Sequence, residues 1–367
     1  MSERIVIKEI CEVYDGPHAT PKKTVDGPVY LGIDAITDDG KINAKEFAHL
    51  SEEDYIKWTK RVTPQYGDIV FSYEATLGRY ALIPKDFYGC LGRRLAVIRN
   101  VSKDIDTLWL YYYFLSPEWK QFIQSKIIKG STVNRISVED FPTYTVPNIS
   151  IKVQRKIANI LSKIDEKIAL NNNINDNLEQ QMHLIFENMM AKAATHKLSG
   201  EYTIAQNLAT VVTGKEDANF SVPNGKYKFF TCSNTPLLCD EYVFDSSSIL
   251  IAGNGDFNVK HYSGKFNAYQ RTYILTPDKK YFGLLYLASL YRINSFKSRS
   301  SGSIVKFITK SDVENIPVFI PNDMFYLQEL NKLIYLQEQN KLENELLVNL
   351  RDWLLPMLMN GQATISD

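Results

Sequence analysis

The sequence predicts an α+β protein: two similar α/β globules separated by two long antiparallel coiled-coil helices, related by a pseudo-twofold internal repeat. Three observations carry this reading. A block recurs, GSTVNRISVED at 130–140 and GSIVKFITKSD at 302–312. Behind each block runs a long stretch with helical apolar spacing. Ahead of each lie strand-like runs broken by turn signals.

The first globule is expected over 1–149. Its strand-like runs are IVIKEI, GPVYLGI, GDIVFS and LAVIRN, punctuated at Asp15-Gly16, Asp26-Gly27 and Asp39-Gly40, with a helix over 107–125. The central helix is expected over 150–195. Residues 151–190 contain neither Pro nor Gly, and Ile157, Leu161, Ile164, Ile168, Leu178, Met182, Ile185 and Met189 keep a heptad seam if Asn171 and Asn175 fill its two vacant positions. Such a helix spans about 60 Å, more than a small domain needs for its own core.

The second globule is expected over 196–322, with strands in YKFFT, SSILIA and TYILT, turns at Asn224-Gly225 and Asn254-Gly255, and a helix over 279–291. The distal helix then occupies 323–367, its stripe formed by Leu327, Leu330, Ile334, Leu342, Leu346, Leu350, Leu354 and Met357 and interrupted near Gln337 to Lys341. Each stripe needs cover. Either the two helices cover one another, with buried asparagines fixing register, or each packs on its preceding globule alone.

A true duplication carries its neighbours along in order. Pro147 and Pro321 are each followed by a glutamine, Gln154 and Gln328; GDIVFS faces SSILIA; RRLAVIR faces QRTYILT, aligning Arg94 with Arg271; LWLYYYFL faces FGLLYLASL. The order holds throughout.

Bulk chemistry excludes several classes. The 42 Lys/Arg balance 42 Asp/Glu, so any basic surface is local: residues 196–322 hold 14 basic against 10 acidic side chains, and 323–367 hold 3 against 7. Cys11, Cys90, Cys232 and Cys239 form no CxxC pair, which fits reduced thiols and a cytoplasmic setting. The N-terminal MSERIVIKEI carries charges where a signal peptide needs apolar residues, and no apolar run is long enough for a membrane span.

Catalytic signatures are missing. Gly214-Lys215, Gly225-Lys226 and Gly264-Lys265 lack the upstream glycine of a phosphate loop, and GNGDF (253–257) lacks the third glycine of a dinucleotide loop. The histidines His18, His49, His183, His196 and His261 lack metal-ligand spacing. Asp68 and Glu74 have no lysine in the position a nuclease requires. No catalytic residue, cofactor or metal is therefore expected.

Basic residues on loops remain. The first globule offers Lys22, Lys23, Arg79, Arg93, Arg94, Lys126, Lys129 and Arg135; the second offers Lys226, Lys228, Lys260, Lys265, Arg271, Lys297, Arg299 and Lys306. Any one of these alone reads as surface charge, but cations on loops among small polar residues suit duplex DNA. Two heads on a stiff helix pair would read two half-sites about one turn, roughly 34 Å, apart. Because the globules have diverged, those half-sites should differ.

The opening DGPHATPKKTVDGPVYLGI (15–33), the junction GSTVNRISVEDFPTYTVPNISIKVQRKIANILSKIDEKI (130–168), IPNDMFYLQELNKL and the ending NLRDWLLPMLMNGQ together resemble the specificity subunits of type I restriction-modification systems, over essentially the whole chain. The junction PNISIKVQ departs from the family by lacking its paired prolines and acidic run, and little sequence precedes the first globule. The resemblance implies a non-enzymatic subunit that binds double-stranded DNA at a bipartite asymmetric site. Its implied partners are two methyltransferase subunits along the helices and, through them, ATP-dependent restriction subunits. It also places His18, Thr20 and Lys22 near DNA. The competing readings are a coiled-coil adaptor without DNA contact and a stand-alone DNA-modifying enzyme.

Overall fold

The computed structural model describes residues 3–130, 133–255, 257–299 and 307–363, with 296–299 described by backbone alone. The second junction from Gly302 to Lys306, Ser131 of the first, and the side chains of Lys297 and Arg299 lie outside the described residues. The chain forms two compact units, Met1–Lys167 with Leu347–Asp367, and Ile168–Leu346. Among the described residues no helix is long and apolar enough to cross a membrane.

The first unit contains β1 (Arg4–Val6), β2 (Cys11–Asp15), β3 (Thr24–Leu31), β4 (Ala48–His49), β5 (Ile69–Ser72), β6 (Tyr80–Leu82), β7 (Gly89–Leu91), β8 (Leu95–Asn100) and β9 (Thr145–Pro147). They assemble as β2-β8-β5-β6, as β4-β3-β7, and as a β1-β9 ribbon. Every residue of β5 is buried, so this strand reads as a continuous apolar run rather than an alternating one. The helix Thr107–Leu115 begins where Asp106 accepts the Trp109 N–H at 2.9 Å, and it buries Trp109, Tyr113 and Phe114 in the core.

The second unit contains β10 (Gly200–Ile204), β11 (Ala209–Thr213), β12 (Tyr227–Phe230), β13 (Leu237–Cys239), β14 (Phe244–Ala252), β15 (Val259–Ala268), β16 (Thr272–Pro277) and β17 (Pro317–Pro321). Its sheet runs β11-β16-β14-β15-β12-β13, with β10 and β17 as a separate ribbon. The connectivity repeats that of the first unit. β2, β8, β5, β3 and β4 correspond to β11, β16, β14, β12 and β13, and β15 does the work of β6 and β7 together, pairing antiparallel with β14 and parallel with β12. Gly264 lies within that one strand at φ +133°, a conformation that favours glycine.

The long helices are Ile151–Ala194 and Met324–Met359. Within the first unit, Ile157 and Leu161 of the central helix join one core with Leu355, Leu358 and Met359 of the distal helix. Within the second, Asn171 donates to Glu343 and Asn344 at 2.7 and 2.9 Å, and Asn340 donates to Asn175 at 2.9 Å. In the second unit a rising number on one helix thus meets a falling number on the other, which is antiparallel packing.

The distal seam differs from the expected one. Ile157, Leu161, Ile164 and Leu178 are buried and Ile168 and Leu354 half-buried, but Leu346 and Leu350 are 63% and 43% exposed. The inward positions are instead Gln337, Asn340 and Asn344 in the second unit and Arg351 and Leu355 in the first, so Leu346 and Leu350 stay exposed, while Leu342 lines a cavity beside its globule. The physical reason is that buried Asn171 and Asn175 need polar partners, and Glu343, Asn344 and Asn340 on this face of the distal helix supply them, as Arg351 does for Asp165.

Each helix is also tied to its own globule through an acid at the equivalent position. Asp165 pairs with Lys41 at 2.8 Å and Arg351 at 3.0 Å and accepts the Tyr112 hydroxyl at 2.8 Å. Glu338 pairs with His261 at 3.0 Å and accepts the Ser263 hydroxyl at 3.0 Å. Burial opposes the charge on Asp165, but Lys41, Tyr112 and Arg351 outweigh it and hold the carboxyl below its ordinary value. A depressed pKa contributes stability that is complete above the unfolded value and lost as pH falls through the folded one. Asp165→Ala should therefore cost about 3 kcal/mol in urea unfolding at neutral pH. The wild-type midpoint should also fall more steeply than that of Asp165→Asn below about pH 4.

Candidate nucleic-acid interface

At one end of each sheet the repeated segments meet through the same backbone pattern. In the first globule, Tyr73, just past β5, donates its N–H to the Arg94 carbonyl at 3.1 Å, and its own carbonyl accepts the Ile136 N–H at 2.8 Å. In the second, Gly253, just past β14, donates to the Arg271 carbonyl at 2.8 Å and accepts from the Ile308 N–H at 3.0 Å. Arg94 and Arg271 are the arginines aligned from sequence, and Ile136 and Ile308 occupy one position in the two copies of the junction block. The junction thus stitches the strand-end loops together as well as leading to the helix.

In the first globule this end gathers much of the expected cationic set. Arg93 and Arg135 are exposed and Arg94 half-buried. Arg94 lies 3.7 Å from Glu74, with its backbone at φ +72°. A left-handed non-glycine residue costs about 1 kcal/mol or more and persists only where its surroundings enforce it; here the bond from Tyr73 does so. Gly16 donates to the Leu95 carbonyl at 3.0 Å, in a space where a Cβ would meet that oxygen at 2.4 Å, and this contact brings the DGPHATPKK segment to the same end. His18 pairs with Asp15 at 2.9 Å. The Tyr73 hydroxyl is pushed upward by burial and by the Asp15 carboxylate, so it stays protonated and able to donate.

Thr20, Lys22, Lys23 and Lys129 are exposed on the flanking loops. Arg79 is placed differently. Its guanidinium holds Asp38 at 2.6 and 3.1 Å and the Ile36 carbonyl at 3.1 Å, binding one loop of the globule to another rather than standing free. Ion pairs of this fork geometry are stiff.

The second globule keeps less of its expected set. Arg271 is exposed, with its guanidinium 5.3 Å from the centre of the Phe307 ring. Lys228 is engaged by Glu345 at 2.9 Å. Lys260 turns to the carbonyls of Thr231 and Ser233, and burial draws its ammonium down to about 8. Both lysines line a cavity of about 510 Å³ beside the distal helix instead of the strand-end loops.

Two further residues belong to these ends. Arg61, 62% exposed at its side chain, donates to the Gly16 carbonyl at 3.4 Å and lies 4.0 Å from Asp15; it follows a helix with no motif around it, so nothing in the sequence marks it. Phe307 is exposed and occupies in its block the position that Arg135 holds in the first, a signal the alignment of the two blocks contains. Among the described residues no group of His, Cys, Asp or Glu is placed to hold a metal ion.

Comparison with known proteins agrees with this duplicated plan. The S subunit of a type I restriction-modification system from M. genitalium, solved as a crystal structure, superposes with a TM-score of 0.61 at 18% identity, covering 99% of this chain and 96% of that one, which shows a shared fold. The specificity subunit of the Escherichia coli type I restriction enzyme EcoDI is 35% identical over 164 residues, a match spanning 43% of this chain and 37% of the relative. The family model described as the type I restriction modification DNA specificity domain matches residues 2–180 and again 208–348. The chain belongs to that family.

Proposed function

We propose that the chain is the DNA-reading, non-catalytic subunit of a type I restriction-modification complex. Residues 1–149 and 196–322 act as its two target recognition domains, and each reads one half of an asymmetric bipartite site. The observation that carries this is the repeated strand-end cluster, where Arg94 and Arg271 occupy one backbone position in two globules whose remaining loop side chains differ. A shared frame with diverged tips is what a reader of two different half-sites needs.

Phosphate contacts by cations make affinity fall with salt, each contact contributing about 0.9 to the slope of log K against log salt. Replacing Arg93, Arg94 and Arg135 together by alanine should lower that slope by about 2 to 3 for the assembled complex. An adaptor without DNA contact would show no change, and a stand-alone modifying enzyme would act on DNA as the purified chain.

The long helices dock two methyltransferase subunits and, through them, the restriction subunits. Supporting this are apolar side chains that the polar seam leaves exposed: Leu346 in the second unit, Leu350 and Trp353 in the first. Exposed large apolar residues in series mark interaction surfaces. Leu346→Ser and Trp353→Ser should each leave the urea midpoint within about 0.5 kcal/mol of wild type while reducing co-purification with the methyltransferase. The setting is cytoplasmic, in keeping with four unpaired thiols, three of them buried.

A further inference from the structure

The arm that follows the DGPHATP segment presents an apolar side chain that packs on nothing in its own chain. Residues 22–27 are exposed in unbroken succession, and Val25 is 97% exposed. The arm is nevertheless held at both ends. Pro21 and Pro28 are buried, the Trp58 indole donates to the Ala19 carbonyl at 3.4 Å, and the His49 ring meets the Gly27 carbonyl at 2.8 Å.

Between those anchors β3 makes a bulge. Thr24 and Val29 both face His49 on β4, which loops the intervening residues out of the ladder. Gly27 closes the loop at φ +109°, where any Cβ would strike the Leu50 carbonyl oxygen at 2.4 Å, and the Thr24 hydroxyl donates to the Asp26 carbonyl at 2.7 Å. Bulges of this kind aim a side chain at a chosen point. Val25 is itself stiff, because its branched Cβ restricts χ1. A rigid apolar tip behind exposed Lys22 and Lys23 fits one occupant well: a base edge bearing a methyl group, approached across phosphates that the lysines neutralise. In the major groove that edge is thymine.

We propose that Val25 packs on the C5 methyl of a thymine in the half-site read by the first globule and so sets the base preference there. This deepens the DNA-reading assignment above and rests on it. The test uses the full chain with its methyltransferase partner and synthetic duplexes in which thymines of the bound site are replaced by uracil one at a time. Uracil keeps the hydrogen-bonding edge and lacks only the methyl.

Wild type should lose about fourfold in affinity at one thymine, the worth of one buried methyl group, and Val25→Ala should bind the thymine and uracil versions of that duplex alike. Val25→Thr, which keeps the shape but exchanges one methyl for a hydroxyl, should recover only part of the difference. If no thymine-to-uracil change distinguishes wild type from Val25→Ala while Lys22→Ala with Lys23→Ala still lowers the salt slope, Val25 is not the reader and DNA reading by this arm stands. If in addition the lysine variants and a full exchange of residues 1–149 leave the bound sequence and its salt dependence unchanged, the DNA-reading assignment itself fails, and this proposal with it.

Discussion

The rest of the candidate interface depends on one backbone arrangement, the residue at the end of the buried central strand. Tyr73 in one globule and Gly253 in the other bond on one side to the arginine carbonyl that precedes the next strand and on the other to the isoleucine of the junction block. Backbone groups at a strand end must find partners or remain solvated. Here two segments distant in sequence supply them, so a loop, a strand and the lead into a long helix are fixed at one point. Because the bonds are backbone to backbone, the side chains around them are free to vary without disturbing the frame.

The helices follow a different constraint. Leucines dominate the distal helix by number, yet Gln337, Asn340, Asn344 and Arg351 hold inward positions on it. Asparagine pairs such as Asn340 with Asn175 add less stability than leucine would, but they allow few alternative registers. Turning the leucines outward has a second effect: one helix provides both a register-specific seam and an apolar outer stripe.

Much of this plan was legible in the sequence, and the failures have physical causes. The order of repeated segments predicted the shared strand connectivity, and Arg94 with Arg271 and Ile136 with Ile308 proved to hold matching backbone positions. The seam of the distal helix was misread at Leu346 and Leu350 because periodicity follows apolar residues, whereas here Asn340, Asn344 and Arg351 hold inward positions. The glutamines behind the two blocks are not equivalent either. Gln154 is buried and accepts the Asp106 N–H at 2.7 Å, while Gln328 is exposed, and Asn331, accepting from the Gly283 N–H at 2.8 Å, does that work one turn later. Charge alone could not separate Arg79, locked on Asp38, from Arg93, which is exposed, since their difference lies in what the fold brings beside them. The bulge that presents Val25 depends on a pairing between β3 and β4 that no local pattern announces.

The central claim is that each globule reads its own half of the target through loops mounted on a common frame. The direct measurement is to exchange residues 196–322 for the corresponding globule of another family member and sequence the DNA positions modified in cells that also carry the methyltransferase. The account predicts that one half of the modified motif changes while the other half is retained. A motif unchanged in both halves, or replaced in both, would contradict it.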